Sequence, residues 1–456
     1  MRGRILWGVL GLAGIGLLAT GAVFFLHWQA ERQLDQALAG LRAALPDGVT
    51  LTIGHHEIGL VDRIVEVVDI VLDDARPTGS KLAIAHLRLD QLDPDVGQAI
   101  RFRDVELRDI TLTDKGDGTR IAIDTLTAGG ADLPVAALTG GLTKLDQFRF
   151  SGAELTGAKL TAADGGLELA KLTLIDLNDG MLWRAVASGF HMSFLQAGLG
   201  RVELAAAVAD GSEIALGAVA TGNFSGRPEG LLDSFGLAEA SATAAGGKLS
   251  LHHVRYAVTT RDSAGRPTAS ASDIEGLLLY LPQIAPLSAV LAKLGTPDLA
   301  LTSHGEERFD PAARTESLSE LVGVDHAGLL RLDASLGNLP EPAATDPADR
   351  FKMTIGPVRF AWTDQGLIPA VEAALMPDLP DQAETEIQDR LKALGAAETT
   401  GDWPGKLATF LRKPGRIEFD LSPVKAVELG TLFDESLPPS AKFGLLQPSL
   451  KVETAP

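Results

Sequence analysis

Val105-Glu106-Leu107-Arg108-Asp109-Ile110-Thr111-Leu112 alternates apolar and polar residues, but the alternation slips by one position midway. Val105 and Leu107 share one parity; Ile110 and Leu112 share the other. Successive side chains of a strand point to opposite faces, so a strict strand sends these two pairs to opposite sides of a sheet. An inserted residue near Arg108-Asp109, a β-bulge, returns all four to one face while bending the strand. The same form, apolar-Glu-apolar-x-x-apolar-x-Leu, recurs in Val65–Leu72, Ala153–Leu160 and Leu167–Leu174. The intervals between copies are unequal, so the repetition is loose and not that of a strict solenoid.

Around these copies the period of two continues. Alternating stretches cover Thr50–Ile53, Ile64–Leu72, Leu82–Leu89, Arg120–Leu126, Leu145–Phe150 and Val202–Val208. Asp114-Lys115-Gly116-Asp117-Gly118 separates two of them with the composition of a hairpin turn. The pattern predicts a mainly β protein: a long, curved, antiparallel meandering sheet, groove-like or sandwich-like. Gly222–Gly247, rich in Gly, Ala and Ser, reads as a long loop with a weak helix.

The chain ahead of the strands has another character. Ile5 to Leu26 contains no ionisable side chain, and its 22 residues make roughly 33 Å of helix, enough for a hydrocarbon core of about 30 Å. Arg2 and Arg4 precede it, which places Met1 in the cytoplasm, and Trp7 and Trp28 mark its ends. A cleaved signal peptide is the competing reading, with Ala19 and Gly21 as the cleavage site, but the apolar run continues through Val23–Leu26. The expectation is a single-pass anchor in a bacterial inner membrane, with the bulk of the chain in the periplasm. Glu31 to Leu45 follows as an amphipathic helix, with Leu34, Leu38, Leu41 and Leu45 on one face.

Beyond the sheet, Gln283–Leu294, Ile368–Leu379 and Glu384–Leu394 read as helices, and Asp402-Trp403-Pro404 opens another. Leu299–Thr302, Leu329–Ser335, Phe351–Trp362 and Arg416–Leu421 read as strands. Pro340 to Asp349 is the linker candidate. The expected organisation is an anchor over 1–30, a juxtamembrane helix over 31–46 and a β-rich domain over 47–340. A small α+β module over 350–435 and a tail over 436–456 complete it.

Composition excludes several function classes. The 456 residues carry 40 Lys+Arg against 60 Asp+Glu, a net charge of −20, which argues against a phosphate-backbone partner. With two tyrosines and scattered basic residues there is no nucleic-acid platform. The absence of cysteine removes thiol catalysis, thiolate metal sites and disulfides.

His55-His56-Glu57 is the most metal-like trio, but adjacent strand residues face opposite ways, and His252-His253 has the same geometry. Nucleophile and phosphate-loop signatures are absent. Gly198-Leu199-Gly200-Arg201 fails the dinucleotide fingerprint, Glu203 standing where its third glycine belongs. Asp69 and Asp109 recur in strand middles as bulge or turn residues. No catalytic, cofactor-binding or metal-ligating residue is assigned, and no enzyme activity is expected.

What the residues leave is an apolar sheet face beside a membrane. From 50 to 280 the sequence holds few amphipathic helices to cover it. Either the sheet closes on itself as a sandwich, or it stays partly open and carries acyl chains.

The anchor followed by VELRDITLTDKGDGTRIAIDTLT (105–127), together with GLLRLDASLGNLP (328–340) and VRFAWTDQGL (358–367), resembles the AsmA-like bacterial envelope proteins. The chain also resembles related inner-membrane-anchored families of unknown function, in which a terminal module recurs. It has a strand, a turn like Asp364-Gln365-Gly366-Leu367, two helices and then FLRKPGRIEFDLSP (410–423); here it covers Phe351 to Phe433. The resemblance implies a role in outer-membrane homeostasis or lipid handling, with a β-groove for phospholipid, and implies no catalytic residue. The alternative expectation is an envelope scaffold or assembly factor that docks another protein.

Overall fold

The computed structural model describes Leu45 and residues 48–59, 64–91, 93–95, 99–134, 149–178, 180–215, 233–263, 267–282, 284–339, 351–376, 379–393, 400–434 and 436–455. The expected anchor (5–26), almost all of the juxtamembrane helix and the 340–349 linker lie outside these residues. Among the described residues no helix is long and apolar enough to cross a membrane. Strands make up 64% of what is described, and neighbouring strands run antiparallel, so the protein is mainly β with few helices. The chain divides into two compact units, one of residues 1–224 and 231–237, the other of 225–230 and 238–456.

The first unit is a meander. Its strands are β1 (Val49–Thr52), β2 (His55–Gly59), β3 (Ile64–Asp74), β4 (Ser80–Asp90), β5 (Asp93–Asp95), β6 (Ala99–Asp114) and β7 (Arg120–Pro134). They continue with β8 (Phe150–Ala162), β9 (Gly165–Asn178), β10 (Met181–Gln196) and β11 (Gly200–Ala215). Both β1 and β2 pair with β3 in one register, interrupted at Gly54, whose N–H reaches the carbonyl oxygens of Val68 and Asp69. From β3 the order is β4, β6, β7, β8, β9, β10, β11, each beside the next. The expected hairpin closes at Asp114, which exchanges backbone bonds with Thr119 and Gly118. Strand β12 (Ser234–Ala244) occupies the stretch expected to be a loop, so that expectation is corrected.

The parity slip falls where the sequence places it but is built differently. Asp69, Asp109 and Gly157, the fifth residues of three copies, have φ of 58°, 51° and 63°. No residue is inserted: the register runs unbroken across each, and the facing residues Ala85, Asp124 and Ala170 are left out of the ladder with them. Gly189 on β10 (φ 62°) faces Ala170 and Ala207 in the same way. A seam thus crosses β3 to β11, left-handed on every other strand. In the fourth copy, Leu167–Leu174, the seam passes through Ala170, and the left-handed residue of that strand is Asp176 (φ 50°).

Asp176 belongs to a second seam. Gly130 (φ 59°), Asp176 and Glu213 (φ 48°) alternate there with Arg103, Ser151 and Trp183. Asp tolerates the left-handed region better than most side chains, and Gly enters it without steric cost. At Gly157 a Cβ would also run into the Asp124 carboxylate.

In the second unit, β13 (Gly247–Arg261), β14 (Pro267–Tyr280), β15 (Leu299–Asp310), β16 (Thr315–Val324), β17 (Gly328–Gly337) and β18 (Thr354–Asp364) form a further meander. It ends with β19 (Arg416–Leu421) against β18 and β21 (Pro448–Glu453) against β19, while β20 (Val427–Glu428) extends the β18 edge. Here true register shifts occur, between Ile274 and Leu277 and between Ala334 and Leu336. Helix α1 (Ala285–Leu294) packs on α2 (Leu367–Leu375), and α3 (Leu379–Ala393) packs on α4 (Trp403–Arg412). Trp403 of α4 meets Phe419 of β19 edge to face, with ring centroids 5.5 Å apart. Two short helices, α5 (Leu429–Phe433) and α6 (Pro439–Leu446), lie near the chain end.

A β-branched residue at a left-handed seam position is strained. Asp109→Val is expected to destabilise the protein by about 1–3 kcal/mol, whereas Asp109→Gly stays close to the parent. Urea unfolding of both variants tests this; equal midpoints would refute the seam.

Candidate functional site

The seams keep the apolar side chains of the first unit on one face. One rank runs Leu72, Leu82, Leu112, Ile121, Leu160, Leu167, Met192, Leu204, each directly opposite the next. Across the first seam a second rank runs Val67, Leu87, Leu107, Leu126, Leu155, Leu172 and then two alanines, Ala187 and Ala209. Aliphatic neighbours at cross-strand distance are the unit of sheet stabilisation. The two ranks belong to one face, because Leu72, Leu82, Ile110 and Leu126 pack on the cluster that holds Val67, Leu87 and Leu107.

Burial is uneven along this face. Leu87 is 0% exposed and Leu107 3%, and the core cluster lies on β1, β3, β4, β6 and β7. The first rank is partly buried throughout, from Leu72, Leu82, Leu112 and Ile121 to Leu160, Leu167 and Met192; in the second, burial falls from Leu87 and Leu107 to Leu126, Leu155 and Leu172. Aliphatic surface of this kind is worth about 25 cal/mol per Å² when removed from water, so β8–β10 carry an unsatisfied apolar area.

The opposite face is ionic. Arg88 bridges Glu66 and Asp90, Arg108 holds Glu106 at 2.6 Å, and Lys171 holds Glu154 at 2.8 Å. A trough of about 510 Å³ is lined by Arg88, Asp90, Glu106 and Glu154 together with Gly129, Gly152 and the apolar Leu174 and Ile175.

A second trough of about 510 Å³, in the other unit, is lined by Arg331, Asp333, Arg359 and Asp420, with Ser317 and Ser319 beside them. Arg331 Nε binds Asp333 at 2.8 Å, and the Ser319 hydroxyl donates to the same carboxylate at 2.7 Å. Asp420 accepts from Arg359 at 3.0 Å and from Lys451 at 2.8 Å, and Glu418 accepts from Lys451 and Arg416, each at 2.8 Å. Burial pushes the Asp420 carboxyl up, but Lys451 and Arg359 together outweigh it and hold it below the usual range. Lys451 lowers Glu418 and Arg331 lowers Asp333. Acids matched this closely to cations hold strands together and have no proton poised for transfer near neutral pH.

The residues weighed for chemistry in the sequence are scattered. His55 and His56 have ring centroids 6.4 Å apart, and no group of three or more His, Asp or Glu able to hold a metal occurs among the described residues. His252 Nδ1 lies 2.5 Å from Glu239 in an exposed cross-strand pair. Asp69 and Asp109 are seam residues, and Gly198 and Gly200 form the β10–β11 turn. Phe190, Met192 and Phe194 fall outside the alternating stretches named above, although Phe190-His191-Met192-Ser193-Phe194 itself carries a period of two. Neither the protein-family models nor the curated proteins compared with this chain include a match.

The matched acids set a pH dependence. Folded pKa values below the unfolded ones mean that the stabilisation is complete above about pH 4 and is lost as pH falls through the folded values. Asp420→Asn is expected to cost about 1–3 kcal/mol at neutral pH by weakening two charged hydrogen bonds. Thermal unfolding from neutral to acid pH should show the deficit of the variant narrowing as the parent protonates.

Proposed function

We propose that this chain is a non-enzymatic, inner-membrane-anchored periplasmic protein whose aliphatic sheet face holds acyl chains of envelope lipids in a β-groove. The observation that carries this reading is the pair of aliphatic ranks, which continue over β8–β10 without a charge while their side chains stay partly exposed. An antiparallel sheet with one apolar face must cover it with protein or with something else apolar. At a membrane the available cover is lipid, and each methylene it buries contributes about 0.8 kcal/mol. The ionic face suits water. The anchor over residues 5–26, read from the sequence, supplies the proximity.

Photo-crosslinking amino acids at Leu172 and Met192, compared with Lys171 on the other face, test this in the full-length chain in cells. The expected result is a phospholipid adduct from positions 172 and 192 and none from 171. A single dominant protein adduct from 172 and 192, without lipid, would replace this reading with that of an envelope assembly factor.

A further inference from the structure

We propose that the β10–β11 turn dips into the surface of a lipid bilayer and is the end at which acyl chains pass onto the aliphatic face; the second half rests on the acyl-holding reading above. The strands of the first unit turn back at two ends. At the end where β3 meets β4, the turns are polar: Arg76 pairs with Asp74, Lys115 with Asp73, and Asp114 caps the Gly116 N–H. Asp164 stands between β8 and β9.

The turn between β10 and β11 breaks this rule. Leu195 is 58% exposed and Leu199 48% exposed, on a hairpin closed by the Leu199 N–H donating to Gln196 at 3.1 Å. Gly198 and Gly200 take the left-handed positions (φ 83° and 73°), so the tip turns without the Asn or Asp that usually serves there. Two exposed leucines at a hairpin tip are costly in water and suit an acyl environment.

Three observations point to a bilayer. First, the tip is continuous with the aliphatic face, since Phe194 lies directly opposite the buried Val202 and Met192 follows on the same side. Second, Arg201, exposed and directly opposite Leu195, donates through its guanidinium to the Ser193 hydroxyl at 3.4 Å, two residues back from Leu195, where a lipid phosphate would meet it. Third, the first strand begins at this same end, Val49 pairing with Asp74, and only residues 27–48 separate it from the apolar run over 5–26. With a net charge of −20, attachment through apolar side chains is independent of any attraction to acidic lipid.

The chain contains no cysteine, so single cysteines label cleanly. Leu199→Cys and Asp117→Cys, each carrying an environment-sensitive fluorophore, are compared in the full-length chain reconstituted in phosphatidylcholine vesicles containing doxyl-labelled lipid. The expected result is a blue shift and quenching by doxyl lipid at position 199, and neither at 117. Equal emission and equal access to aqueous iodide at the two positions, or failure of the chain to associate with the vesicles, overturns the inference. Lipid extracted from the same purified protein reads the aliphatic face separately. Lipid present with position 199 unquenched removes the tip alone. Lipid absent with position 199 quenched keeps the bilayer contact and removes the acyl-holding face.

Discussion

A strand alternates its side chains between two faces, and a strand that crosses a wide sheet must do so while its sheet twists. In the first unit this constraint is met by the seams. Asp69, Asp109, Gly157 and Gly189 take a left-handed conformation against ordinary partners, and the parity of each strand changes there without loss of register. Because facing residues leave the ladder together, Ile70, Ile84, Ile110 and Ile123 remain opposite one another on one side of the seam. Val67, Leu87, Leu107 and Leu126 do so on the other. The gathering of both sides of the seam onto one apolar face depends on that shared change of parity. One strand that kept strict alternation would turn half its aliphatic side chains to the ionic face.

Much of this was legible in the residues. The slip in Val105–Leu112 locates Asp109, and the hairpin at Asp114–Gly118 follows from composition alone. The mechanism of the slip was not legible, because one strand cannot say whether its neighbour supplies two residues or one. A bulge and a paired seam leave the same mark on Val105–Leu112; only Ala85 and Asp124, on other strands, distinguish them. Strand β10 is legible only in part, for a related reason. Two seams, at Trp183 and Gly189, interrupt Met181–Gln196, and only Phe190–Phe194 keeps a period of two. Ser234–Ala244 reads as a loop in the sequence because its small residues resemble one until neighbouring strands give them a ladder.

The second unit combines a seam with inserted residues: between β13 and β14 the register runs unbroken past left-handed Gly276 and the facing His252. Between Ile274 and Leu277 the ladder of β14 and β15 shifts by one, beside the left-handed Gly276. Opposite Ser335, β18 carries Gly356 and Pro357, and a proline cannot donate to a ladder. Its strands are also held by charge. Asp420 and Glu418, both largely buried, are shared among Arg359, Lys451 and Arg416 across β18, β19 and β21. Removing any one cation leaves a carboxylate with too few partners in a poorly hydrated place. The sharing explains why a strongly acidic chain tolerates acids in that position.

The division of labour between the two faces of the first unit narrows what the sheet can contact. The ionic face has its acids matched in place by Arg88, Arg108 and Lys171, so water satisfies what remains. The aliphatic face has no such ionic partners among the described residues, and its second rank loses burial from Leu107 toward Leu155 and Leu172. A sandwich would require a second apolar layer over β8–β10 that buried these residues as deeply as Leu87. Among the described residues no layer buries them to that depth, and the acyl-holding reading proposed above rests on that exposure. A cover that meets long, charge-free ranks of Leu, Met and Phe must itself be apolar and tolerant of shape, and hydrocarbon chains satisfy both requirements without needing a matched set of hydrogen bonds.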